Sequence, residues 1–262
     1  IGSFTEIGNE AFAGCSNLTN MNIPSNVVKI GTNAFKGANS INVRAINPLS
    51  SYAEAKKLLP DGTDEQLVSK QKAITQKFIK AILDSGANNI VLDLSYIADD
   101  TTLNLEIGEI ESIEIKGGSK TYNGFTIDSA AKRTTLSEMT INTDRGTPIK
   151  VGSDKLELHK VFVNAKNLAL LLKKDGAVLY LIQDSAIKTN SEYAIIGKNL
   201  VIDSQDMDNG ATGFLTVSGN IGYVNSINGI ENVKFISGKE SKITDEEFNK
   251  YILGQFVLTF DP

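Results

Sequence analysis

The 262-residue sequence predicts a mainly β solenoid: the end of a repeat array over residues 1–47, a short α-helical joint over 48–86, and a right-handed parallel β-helix or a coil close to it over 87–262. Three observations point there. A block near the start recurs at a fixed interval, a stretch with the 3.6-residue apolar period follows, and beyond it short strands return at a near-constant spacing. An antiparallel β-sandwich over 87–262 would also supply many short strands and is the rival architecture.

The recurring block comes first. Ile7 and Ile30, Gly8 and Gly31, Ala11 and Ala34, Phe12 and Phe35, Gly14 and Gly37, Leu18 and Ile41, and Ile23 and Ile46 are each 23 residues apart. A unit of that length cannot bury its apolar face alone and must stack on its neighbours. Phe12 and Phe35 should therefore form one internal column, with the glycines at tight corners and Ile23 and Ile46 on short strands. Cys15 aligns with Ala38, which predicts a small buried slot for a lone thiol that has no internal disulfide partner.

The stretch "IGNEAFAGCSNLTNMNIPSNVVKIGTNAFKG" resembles the BspA-type leucine-rich repeats of bacterial surface proteins. The resemblance covers roughly residues 1–47 and weakens where Asn47 stands for the earlier Pro24 and Arg44 for Met21, as at the end of an array. Opening inside a repeat, the sequence reads as a piece of a longer protein. What the resemblance implies is an extracellular, multi-module protein of host-associated bacteria that works by adhesion, meeting a host extracellular protein or glycan across a face.

The joint follows. "SSYAEAKKLLPDG" reads as a short helix stopped at Pro60, and Thr63 with Gln66 opens a longer one whose Leu67, Ile74, Phe78, Ala81 and Ile82 share a face up to Gly86. Lys70, Lys72, Lys77 and Lys80 occupy the other side, the pattern of a solvated face. From Ala87 onward strands centred near Val91, Ile113, Met139, Lys160, Tyr180 and Val201 interleave with a series near Leu105, Phe125, Lys150, Leu170 and Ala194, with steps of roughly 20 to 26 residues. Two phases at one period describe a coil with two or three faces. Open solenoid ends need cover; the helix after Thr63 is expected to cover one end, and a second capping box at Thr244 and Glu247, with Phe248, Tyr251 and Ile252, to close the other before a last strand "QFVLTF".

Composition narrows the function. A net charge of -5 and scattered lysines leave nothing to meet a phosphate backbone, which argues against nucleic acid, and no run of eighteen apolar residues is present, so this fragment is not expected to insert in a membrane. His159 is the sole histidine, and no G-x-S-x-G motif accompanies it, so it reads as an ordinary strand residue. Among the carboxylates Glu138 and Glu157 are nameable as a glycosidase pair, and Arg133 and Arg145 are the arginines a lyase would call on, but no cluster joins them. The acidic stretch "VIDSQDMDNGATG" offers Asp203, Asp206, Asp208 and Asn209 as oxygen ligands for calcium, with Gly210 to turn the chain, although the full calcium-loop spacing is missing. Tyr96, Tyr122, Tyr193 and Tyr223 are the aromatics left for stacking sugars in a chain without tryptophan; Tyr122 in "SKTYNGF" is the candidate for an exposed turn that contacts a ligand, beside the commoner reading in which a tyrosine at a strand end packs a corner. The reading is a non-catalytic cell-surface module that binds a host protein or matrix through an extended face, with a glycan-binding or glycan-cleaving β-helix, possible calcium included, as the alternative.

Overall fold

A computed structural model describes residues 4–44, 46–97, 102–204 and 213–254. Alternating apolar side chains along short strands can bury only one side of each strand, and here the chain winds so that every such side points inward. Three stacks of parallel strands result. On the first face Met21–Ile23 pairs with Ser40–Arg44 and that with Asn89–Asp93, after which the stack runs through the opening halves of Ser112–Asn123, Arg133–Thr143 and Lys155–Ala165 to Val178–Leu181 and the end of Ser185–Ser204. The second face takes the closing halves of those three long strands, the start of Ser185–Ser204 and of Leu215–Asn228, and Val233–Ser237. The third holds Asn104–Ile107, Thr126–Ser129, Ile149–Val151, Leu170–Asp175, the middles of Ser185–Ser204 and Leu215–Asn228, and Glu240–Lys242. Every ladder among the described residues is parallel, so the protein is a mainly β solenoid and the antiparallel sandwich is excluded.

Register explains the core. Ile41, Ile90, Ile113, Thr134, Leu156 and Leu179 align on the first face, Tyr122, Ile141, Val163 and Ile187 on the second, and Leu105, Ile127, Ile149, Leu170, Ile195 and Ile221 on the third, all buried. Thr134 is the polar member of its aliphatic column, and its hydroxyl is satisfied by Ser129 at 2.8 Å and Ser153 at 2.7 Å. The first and second faces meet at a corner made by one left-handed residue, Glu138 (φ 52°) in one coil and Lys160 (φ 55°) in the next. Because the strands run unbroken through that corner, the sequence shows one segment where the structure has two faces. Hence Val91, Ile113, Tyr180 and Val201 lie on the first face, whereas Met139 belongs to the second and Lys160 to the corner.

In the repeat segment the Phe12 and Phe35 rings stack at 5.4 Å with 3° between their planes. Glu6–Ile7 pairs with Lys29–Ile30 in a separate two-stranded sheet, Ile7 opposite Ile30 at the expected interval of 23, whereas Met21 pairs with Ile41 and Ile23 with Val43, 20 residues apart, so Ile46 is buried beyond the strand rather than on it. Cys15 is exposed, contrary to the buried slot expected from Ala38. Ala38 is fully buried in a coil covered on both sides, its carbonyl accepting from the Asn88 amide, whereas Cys15 lies in the outermost described coil.

Helices α1 (Pro48–Leu58) and α2 (Asp64–Leu83) are spliced into one coil between first-face strands. Asn47 caps α1, and Thr63 with Gln66 completes the expected capping box on α2. α2 lies between Lys29–Ile30 and Asn104–Ile107, buries Phe78, Ile79 and Ile82, and Gln76 Nε2 donates to the Asn104 carbonyl at 2.9 Å. It thus covers the open edge of the first strand of the third face, one end of that stack, as expected, while the first face continues past it into the repeat segment. α3 (Asp245–Leu253) lies elsewhere than expected: Phe248 and Tyr251 pack with Leu168, Leu171, Tyr193, Ile196, Val224 and Ile243 on the outer side of the third face. Leu171 and Ile196 are outward strand positions, and their apolar side chains draw the helix onto the flank. The strand expected at 255–260 lies outside the described residues.

Candidate functional surface

The outer side of the first face runs across the repeat segment, past the joint and along the solenoid. Its outward positions align as Asn42, Val91, Glu114, Thr135, Glu157, Tyr180 and Asp203, flanked by Asn89, Ser112, Arg133 and Lys155. Parallel strands are about 4.8 Å apart, so a side chain reaches its counterparts one coil above and below. Glu157 uses this reach: its carboxylate accepts from Thr135 Oγ1 at 2.8 Å and lies 3.0 Å from Lys155 Nζ and 3.8 Å from Arg133 Nε. Lys155 Nζ also sits 3.6 Å from the centroid of the Tyr180 ring. Burial is the largest single influence on the Glu157 carboxyl and pushes its pKa up, but hydrogen bonds from Lys155 and Thr135 with the charges of Lys155 and Arg133 outweigh it and leave the carboxyl below its ordinary 4.5.

Toward the repeat segment the same face opens into a groove of about 560 Å³ lined by Asn22, Pro24, Asn26, Asn42, Arg44 and Asp93 among others. The Arg44 guanidinium stands 5.5 Å over the Tyr96 ring, donates to the Tyr96 hydroxyl at 3.3 Å and lies 4.0 Å from Asp93. Arg44, visible in the sequence as a departure from the repeat, is therefore placed in a groove, a role that alternation along "SINVR" hints at by facing it outward.

A second polar surface lies at the edge of the second face. Asn123, Asn142 and Asn164 occupy successive coils in register, with Asn164 Nδ2 donating to Asn142 Oδ1 at 2.9 Å and Asn142 Nδ2 to Asn123 Oδ1 at 3.3 Å. They border a groove of about 590 Å³ together with Asp144, Lys166, Lys188 and Asn190. Nothing in the sequence drew attention to this row, because its members are about twenty residues apart and only the register unites them.

The residues singled out from sequence fare unequally. Tyr122 is fully buried, not exposed: it belongs to the inward column of the second face, and its hydroxyl lies 2.8 Å from the Gly117 carbonyl and 3.1 Å from that of Leu94. Its ring is unavailable to a ligand. Asp203 is exposed on the first face and accepts from the Ser204 amide at 2.8 Å, while Asp206, Asp208 and Asn209 lie outside the described residues. Among the described residues no three His, Cys, Asp or Glu side chains converge as a metal site would require. His159 is partly exposed on the first face in register with Ser137, Glu138 turns the corner one coil away from Glu157, and Arg133 has joined the Glu157 ion set. These groups are not gathered around one cleft.

Residues 2–55, about a fifth of the chain, match the family model of the BspA type leucine rich repeat region, described for six copies. No curated protein and no solved structure matched the chain.

Proposed function

We propose that this chain is a non-catalytic bacterial cell-surface module, extracellular in location, that presents the first face to a host protein or matrix component. The observation that carries the reading is the continuity of that face: Ser40–Arg44 of the repeat segment pairs along its whole length with Asn89–Asp93 of the solenoid, so one sheet surface passes the helical joint unbroken. The similarity of residues 2–55 to BspA type repeats supports the bacterial-surface setting. An extended face of ion sets and cation-bearing aromatics, without converging catalytic groups among the described residues, suits recognition spread over many weak contacts. The test is binding of the immobilised chain to matrix proteins such as fibronectin and laminin at low and physiological salt. Binding that weakens with salt and with the paired substitutions Arg44→Ala and Lys155→Ala supports the reading; no binding at any salt overturns it.

A second reading, glycan binding, is favoured by one specific observation, the asparagine row at the second-face groove. Carboxamides spaced at the strand interval offer both donors and acceptors to sugar hydroxyls. Glycan array screening with and without calcium, beside a reducing-end release assay on pectic polymers, separates binding from cleavage. Array signals that survive Asn142→Ala with Asn164→Ala would remove the row from consideration.

A further inference from the structure

The helical joint borders a cavity, open to solvent on one side, that the adhesive reading does not use. α1, α2 and the strand Lys29–Ile30 surround about 300 Å³ of space, walled by Val28, Ile30, Ala73, Ile74 and Phe78, with Leu58 half-exposed beside it. That is the volume of about ten water molecules, which an apolar wall holds poorly. A concave site of this volume with a mainly apolar wall is a natural receptacle for hydrocarbon.

The charges around it fix the sign of a head group. Lys29 is neutralised by Glu6 at 2.7 Å and Glu54 at 3.4 Å, and Glu54 is shared with Lys57 at 3.4 Å. Lys70 and Lys77, two turns apart on α2 and both lining the cavity, have no ion-pair or hydrogen-bond partner among the described residues. An apolar chamber with two uncompensated ammonium groups is complementary to a molecule with a hydrocarbon tail and a negative end. We propose that this cavity binds a single-chain anionic amphiphile, a medium-chain fatty carboxylate, with its tail among Val28, Ile74 and Phe78 and its carboxylate between Lys70 and Lys77.

Isothermal titration of the full chain with decanoate, below the concentration at which it forms micelles, tests this beside decanol as the uncharged control. The expected result is one site for decanoate, with decanol about tenfold weaker, the loss of one charge-assisted contact. The surface variant carrying Lys70→Gln and Lys77→Gln should bring decanoate down to the decanol level, and Ala73→Trp, on the exposed side of α2, should fill the space and abolish both while the far-ultraviolet circular dichroism stays unchanged. Absence of decanoate binding, equal affinity for decanol, indifference to the lysine variant, or association only with anionic phosphatidylglycerol vesicles would each overturn the proposal.

Discussion

Tyr122 shows how a single residue can be misplaced by a correct local rule. "TYNGF" carries the Asn-Gly of a turn, and a tyrosine beside a turn is often exposed. Here Gly117, Gly118 and Ser119 form the corner between the first two faces, with Gly118 and Ser119 left-handed (φ 61° and 59°), and after that corner the alternation restarts with Tyr122 inward beside Ile141. The parity of a strand cannot be carried across a corner whose residue count varies from coil to coil. Tyr122→Phe should therefore destabilise the fold by about 1–3 kcal/mol, because the Gly117 and Leu94 carbonyls lose a buried donor. Urea denaturation measures it, and an unchanged midpoint would mean that water replaces the hydroxyl. Glu157 gives a second prediction at this scale. Its folded-state pKa is depressed below 4.5, so its contribution to stability is complete above the unfolded value and disappears as the pH falls through the folded one. The gap in stability between the natural chain and Glu157→Gln should be present at neutral pH and shrink once the pH drops below 4.5; a gap of constant size down to acid unfolding would contradict the ion set.

Helices were legible as elements because their starts are local chemistry. Thr63 with Gln66, and Thr244 with Glu247, form complete capping boxes where the sequence spacing placed them. Their packing was not legible, since nothing within "ITDEEFNKYI" states that Leu171 and Ile196 turn apolar side chains outward from strands far earlier in the chain. The third-face series was readable from Leu105, Lys150 and Leu170 because corners separate those strands from their neighbours, while the second face was hidden inside long strands. Thr244→Ala should remove one side of the α3 box, a loss of about 0.5–2 kcal/mol of helix stability. Bonding to the Thr244 backbone and hydroxyl lowers the Glu247 pKa, so acid weakens the same box from its other side. Hydrogen exchange should rise in residues 245–253 with the solenoid amides unchanged; protection retained throughout α3 would show that Phe248 packing alone holds it.

At the scale of the molecule, each coil packs chiefly on its neighbours, with an ion pair such as Lys173 to Asp128 reaching one coil further, so stability is close to a sum of coil terms and interfaces between them. The sequence divides the chain at 47 and 86, and a boundary of that kind would let the repeat segment and the solenoid unfold separately. The structure puts a continuous packed interface there: Val43, Leu92 and Ile115 form one buried column across the junction, and one apolar core is continuous from Ile7 to Ile221. Leu92→Ala, which leaves a cavity in that column, should cost about 2–5 kcal/mol. Its reach is the informative part. If the two segments share one cooperative stack, hydrogen exchange should accelerate on both sides of the substitution, in Ser40–Arg44 and in residues 112–116 alike, and fade with each further coil. Acceleration confined to the solenoid side would mean that the sheet is continuous in geometry but broken in energy at the joint, and a ligand bound across the first face would then couple two modules that otherwise move independently.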